Sequence, residues 1–267
     1  MNREDFLYFE KFIYKNYITY DKERILFGRA SFIDYLIKHF ANDGISYNEF
    51  KEIYYMFIND LGYEEETLKI VDRSYENRIR DDMNVLWKPG KKFRYYNILG
   101  YDFSEFLETL NLKQYKDEEY SSMKFFKMYP DLMEMYDIRD EYELHNLLKK
   151  ICTKDKYPQI KFSRMPSIEF GKINREQQVK GLLSLLSPIS KQDFIKEYEN
   201  FYGIDSKTFS ANYLFYIEKY NCSGVYDIKF EEYDSIILAD IRKILFEELY
   251  TLQEVKEKLK ESFPNCK

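Results

Sequence analysis

Eight polar side chains lie close together between Arg73 and Arg94, and their types are those that hold a phosphate backbone. Arg73, Asn77, Arg78 and Arg80 fall within RSYENRIR, a segment that reads as a short helix. Lys88, Lys91, Lys92 and Arg94 sit on or beside WKPGKKFR. Arg and Lys neutralise phosphates, and Asn77 or Arg78 could reach a base edge. Between residues 73 and 98, seven Lys and Arg stand against three Asp and Glu. A second basic patch, within 145–172, contains Lys149, Lys150, Lys154, Lys156, Lys161 and Arg164. Between them, 101–144 holds five basic against twelve acidic residues, a block that could dock a basic protein partner. The whole chain carries a net charge of −6, which argues against indiscriminate nucleic-acid binding but permits a local patch.

Signs of catalysis are weaker. His39 and His145, the two histidines, both lie beside apolar helical positions and read as packing residues. HExxH, GxSxG, GxxxxGK and GxGxxG are absent, and nine glycines in 267 residues leave little for a phosphate-cradling loop. A two-metal nuclease could be assembled only by force from Asp131 with Glu141 and Glu143, or from Glu169 with Lys172. None of these lies on an alternating buried strand. Glu169 and Lys172 read instead as a pair across a turn at Gly171. Cys152, Cys222 and Cys266 form no CxxC pair, which suggests free thiols in a reducing cytoplasm. No stretch approaches eighteen uncharged apolar residues, so no membrane partner is expected. The chain reads as non-enzymatic, without metal or cofactor.

The basic residues need elements to position them. Val85-Leu86-Trp87 and Phe93-Arg94-Tyr95-Tyr96 read as two strands folded through Lys88-Pro89-Gly90-Lys91, where Pro89 presets φ and Gly90 tolerates φ > 0. Upstream, an amphipathic helix over 30–40 carries Phe32, Ile33, Leu36, Ile37 and Phe40, and Asn42-Asp43-Gly44 breaks it. Ser46 with Glu49 is a capping box that starts the next helix. The pattern Ile45-Ser46-x-x-Glu49-Phe50-x-x-x-Tyr54 returns as Ile189-Ser190-x-x-Asp193-Phe194-x-x-x-Tyr198, and more loosely as Tyr250-Thr251-x-x-Glu254-Val255-x-x-x-Leu259. Tyr96-Asn97-Ile98 and Tyr226-Asp227-Ile228 read as matching ends.

The expected fold is mainly α: tandem units of a three-helix bundle plus a short β-hairpin, joined by a helical connector. The boundaries read as follows: 1–100, an N-terminal helix (over 1–24) plus the first unit; 101–153, an acidic helical connector with Ser104 and Ser121 as caps; 154–174, a basic linker marked by Pro158 and Pro166. Next come 175–230, a second unit with Ser206 capping its third helix and a strand over 225–230, and 231–267, a helical cap or an incomplete third unit. If 231–267 is a cap, Ile237, Ile241, Ile244, Leu245, Leu252, Val255 and Leu259 should be buried. If the unit is unfinished, the chain is a fragment of a longer protein or dimerises through that face.

On these residues, 30–98 resembles the HARE-HTH modules, winged-helix domains of restriction enzymes, chromatin proteins and the delta subunit of bacterial RNA polymerase. The resemblance rests on Ile45-Ser46-Tyr47-Asn48-Glu49-Phe50, on Asn77-Arg78-Ile79-Arg80-Asp81, and on Trp87-Lys88-Pro89-Gly90-Lys91-Lys92-Phe93. Glu64-Glu65-Glu66 departs from it, because an acidic insert near the binding face would oppose DNA. Tyr136 to His145 is similar to a segment of long bacterial proteins that carry such repeats. The resemblance implies a tandem winged-helix fold. It also implies a DNA-binding or transcription-associated role through recognition helix and wing. The alternative is an adaptor whose winged-helix units bind protein.

Overall fold

The computed structural model describes residues 18–19, 25–26, 28–60, 70–229, 241, 243–245 and 250–262. It is mainly helical with small antiparallel sheets. By contacts the chain divides into two units: residues 1–116 with 121–171, and residues 117–120 with 172–267.

The first unit opens with strands β1 (Ile18–Thr19) and β2 (Ile25–Leu26), paired antiparallel. Apart from Ile18 and Thr19, which are strand, the helix expected over 1–24 lies outside the described residues, as do Glu64 to Glu66. Helix α1 (Gly28–Phe40) then buries Phe32, Ile33, Leu36 and Ile37, while Phe40 stays 39% exposed at the helix end. After strand β3 (Ile45–Ser46) comes α2 (Tyr47–Asp60), and the capping box is formed: Glu49 N donates to Ser46 Oγ at 3.2 Å and Ser46 N to Glu49 Oε2 at 2.6 Å. Helix α3 (Asp72–Asp81) leads into strands β4 (Val85–Lys88) and β5 (Lys92–Tyr95). Their turn places Gly90 at φ +77° and Lys91 at φ +58°; the second is an unforced left-handed conformation only for glycine or asparagine. The sheet order is β3-β5-β4, with Ile45 opposite Phe93. Phe50 meets Phe93 edge-on at 5.7 Å in the core.

The stretch expected as connector and linker repeats this element order with one additional short helix. Helix α4 (Ser104–Leu110) precedes strand β6 (Glu118–Ser121), then α5 (Ser122–Met128), α6 (Pro130–Met135) and α7 (Glu141–Ile151). Ser104 is the first helical residue and Asp102 accepts its N–H; Ser121 does cap α5, accepting from Met123 N. Residues 154–174 are no linker. Strands β7 (Ile160–Phe162) and β8 (Ser167–Phe170) form a hairpin with Ile160, Ile168 and Phe170 buried, and the two prolines fall outside the strands.

In the second unit, α8 (Arg175–Leu186), strand β9 (Ile189–Ser190), α9 (Lys191–Tyr202) and α10 (Ser206–Asn212) precede strands β10 (Asn221–Cys222) and β11 (Val225–Tyr226). Strand structure thus stops at Tyr226, short of the expected 225–230. The order is β9-β11-β10, again first–third–second. Asp205, one residue before Ser206, is the cap of α10, because its carboxylate accepts from both Lys207 N and Thr208 N. Ile189 lies opposite Tyr226 as Ile45 lies opposite Phe93, so Tyr226 matches Phe93 and the end alignment of Tyr226 with Tyr96 was three residues out of register.

One hydrogen bond recurs in all three repeats. The first residue of the second helix donates its N–H to the carbonyl just before the last strand: Tyr47 to Lys91 (2.8 Å), Ser122 to Pro166 (2.9 Å) and Lys191 to Gly224 (3.1 Å). Beyond these repeats, Thr251 and Glu254 box the start of α11 (Leu252–Ser262). Ile241, Ile244, Leu245, Val255 and Leu259 are half-buried and not core, so the expected burial of a cap is not met there. Ile237 and the Leu252 side chain lie outside the described residues.

Candidate nucleic-acid interface

Helix α3 buries only Ile79, which leaves Arg73, Arg78 and Arg80 exposed and Asn77 half-buried. Two of these arginines face carboxylates: Arg78 Nη2 lies 3.5 Å from Asp34, and Arg80 Nε 3.2 Å from Asp81. On the hairpin, Lys91 pairs with Glu76 at 2.6 Å, and Lys92 is exposed with its charge near Glu49. The other two cations point elsewhere. Lys88 reaches Asp140 at 2.7 Å and the fully buried Glu143 at 3.2 Å. Arg94 is 3% exposed, so its expected phosphate contact is corrected: its guanidinium grips Glu143 through two 2.9 Å bonds, and Asp137 at 3.0 Å. The two carboxylates hold the Arg94 charge more firmly than usual despite burial.

The hairpin is covered by α7, the last helix of the following repeat within the same unit. Asn146 Oδ1 accepts from Trp87 N at 3.2 Å. Lys150 Nζ donates to the carbonyls of Asp82 and Val85. These side chains satisfy backbone groups on β4, the outer strand of its sheet, which would otherwise be an open edge. Tyr96 adds a 2.7 Å bond from its hydroxyl to Tyr136 O. Burial pushes the Lys150 ammonium down to about 8.

Lys150 is therefore a corrected member of the second basic patch. Lys161 pairs across its hairpin with Glu169 at 2.9 Å, and Lys172 donates its backbone N–H to Asp117. Lys149, Lys154, Lys156 and Arg164 are exposed. Among the described residues no three His, Cys, Asp or Glu are grouped so as to hold a metal, and no helix is long and apolar enough to cross a membrane. His145 is buried, its Nε2–H donates to Ser167 O at 3.0 Å, and burial lowers it to about 4. The Cys152 thiol is pushed up to about 12 by burial, which leaves it a poor nucleophile.

Sequence reasoning missed Asn146, and it missed the packing roles of Glu143 and Lys150. Their spacing of three and four places them on one face of α7, while Leu144, Leu147 and Leu148 pack inward. A polar stripe of this kind reads as a solvated face unless a neighbouring hairpin is known to cover it. No protein-family model, no curated protein and no solved structure matches the chain.

Proposed function

We propose that the chain is a non-enzymatic scaffold of tandem winged-helix-like repeats that binds protein. Winged-helix character is supported by the element order, helix, strand, helix, helix, hairpin, with first and third strands paired in the first and last repeats. The observation that carries the scaffold role is the buried pair of Arg94 and Glu143. Wing and recognition helix are the elements a winged helix lays on a duplex. Here the hairpin of the first repeat and the last helix of the next bury each other. In the last repeat, α10 carries one cation, Lys207, and residues 221–226 carry no charge at all, which gives little to hold phosphate.

DNA binding is a second reading, favoured by Arg73, Arg80, Lys91 and Lys92, which stay exposed around α3 and the hairpin turn. Fluorescence anisotropy with a labelled duplex, read at low salt and at about 150 mM, separates the two. The scaffold predicts no saturable binding at the higher salt. Saturable binding that weakens steeply with salt and disappears in a variant carrying Arg73→Glu and Lys92→Glu would overturn it.

A further inference from the structure

The middle repeat has a groove that none of the interactions above uses. Helix α4 ends at Asn111, whose left-handed backbone (φ 43°, ψ 49°) swings the chain into a single 3-10 turn, Leu112–Gln114. Facing it, the chain leaving α7 makes a turn in which Thr153 O accepts from Lys156 N and Tyr157 N. Between the two lies a concavity of about 400 Å³. Leu107, Leu112 and Tyr157 give it an apolar lining, and Lys113 and Lys156 stand along it. Lys113 Nζ sits 5.5 Å from the centre of the Tyr157 ring. Among the described residues neither ammonium has a carboxylate within ion-pair distance, although most cations of the hairpin region do.

We propose that this groove docks an acidic peptide segment of a partner protein. Its carboxylates would meet Lys113 and Lys156, and one apolar side chain would rest on Leu107, Leu112 and Tyr157. Charge complementarity chooses this occupant. Two unpaired ammonium groups beside an apolar floor suit a segment that alternates acidic and apolar groups. Nucleic acid is the competing polyanion. No arginine fork lines the groove to grip a phosphate. From the scaffold reading the proposal takes only that the partner is a protein.

The test uses the full chain and a fluorescein-labelled peptide, Asp-Glu-Asp-Glu-Leu-Glu-Asp-Glu-Asp, in anisotropy titrations at about 150 mM salt. Saturable binding in the micromolar range is expected. A variant carrying Lys113→Glu and Lys156→Glu should lose at least about tenfold in affinity, and the paired Gln changes somewhat less. Replacing the peptide leucine by serine should cost several-fold, as loss of an apolar contact does. No saturation up to about 1 mM, equal affinity in the lysine variants, or tighter binding of a thymidine 9-mer would each overturn the proposal. Failure here with no duplex binding removes the groove and leaves the scaffold role standing. Duplex binding removes the scaffold role whatever the peptide does.

Discussion

Arg94 and Glu143 face each other fork to fork, Nε to Oε1 and Nη2 to Oε2, each at 2.9 Å, with 3% and 0% of their side chains exposed. Arg94 belongs to the hairpin of one repeat and Glu143 to the last helix of the next. The pair therefore joins two successive repeats through the hairpin of the first. Two charges taken from water depend chiefly on each other, with Lys88 beside Glu143 and Asp137 beside Arg94 as further partners.

Removing one partner should expose that dependence. Arg94→Met or Glu143→Leu alone should each cost up to about 3–5 kcal/mol, since a buried charge loses its bidentate partner and keeps only the Lys88 or the Asp137 contact. The double change should cost clearly less than either single one. Urea unfolding of the four proteins gives the coupling, and additive costs would show that the pair does not act as a unit.

Lys88 separates from its neighbours in the turn. Lys91→Glu with Lys92→Glu should lower the melting temperature only slightly, because both side chains are exposed and the Lys91–Glu76 pair is a surface ion pair worth at most about 1 kcal/mol. Lys88→Glu would put a third carboxylate beside Asp140 and buried Glu143, and should lower it markedly. Calorimetry of the two variants tests the contrast; equal melting temperatures would contradict it.

Lys150 makes stability depend on alkaline pH. Its folded value, about 8, lies below that of an unfolded lysine, so between those values the unfolded chain holds the extra proton. Stability attributable to this group should therefore rise with pH, by about 1 kcal/mol between pH 7 and pH 9. Lys150→Met should remove that rise, as measured by urea midpoints of both proteins at each pH.

His145 acts in the opposite range. Burial lowers it to about 4, below an unfolded histidine, so the unfolded chain takes the proton first as pH falls. Its contribution is intact above about pH 6.5 and is lost on acidification toward pH 4. In NMR titrations its imidazole signal should stay flat from pH 8 to about pH 5. A midpoint near 6.5 would mean the ring is not buried as described.

The helix caps give a local control. Ser190 Oγ accepts from Asp193 N at 3.2 Å at the start of α9. Ser190→Ala should cost about 1 kcal/mol without changing contacts elsewhere. A loss several times larger would show that Ser190 does more than cap.

What the sequence determined by itself are features set by neighbours within about four residues. The boxes at Ser46 and Thr251, the Ser190 cap, the Pro89-Gly90 turn and the apolar face of α1 all formed, because each needs only helical or turn geometry. Partial legibility marks the middle repeat. Tyr120-Ser121-x-x-Lys124-Phe125-x-x-x-Tyr129 follows the other copies, with Phe125 fully buried like Phe50 and Phe194, but Lys124 stands where the acidic cap partner should be. Without that reciprocal bond the copy has no box, and its hairpin beyond Pro158 passes for a linker. Only the tertiary structure decided which cations are free. An arginine has the same charge and the same neighbours in sequence whether it faces water or a helix 49 residues away, and Arg94 faces Glu143. Whether it is exposed is set by how two repeats pack, a long-range relationship that local spacing does not encode.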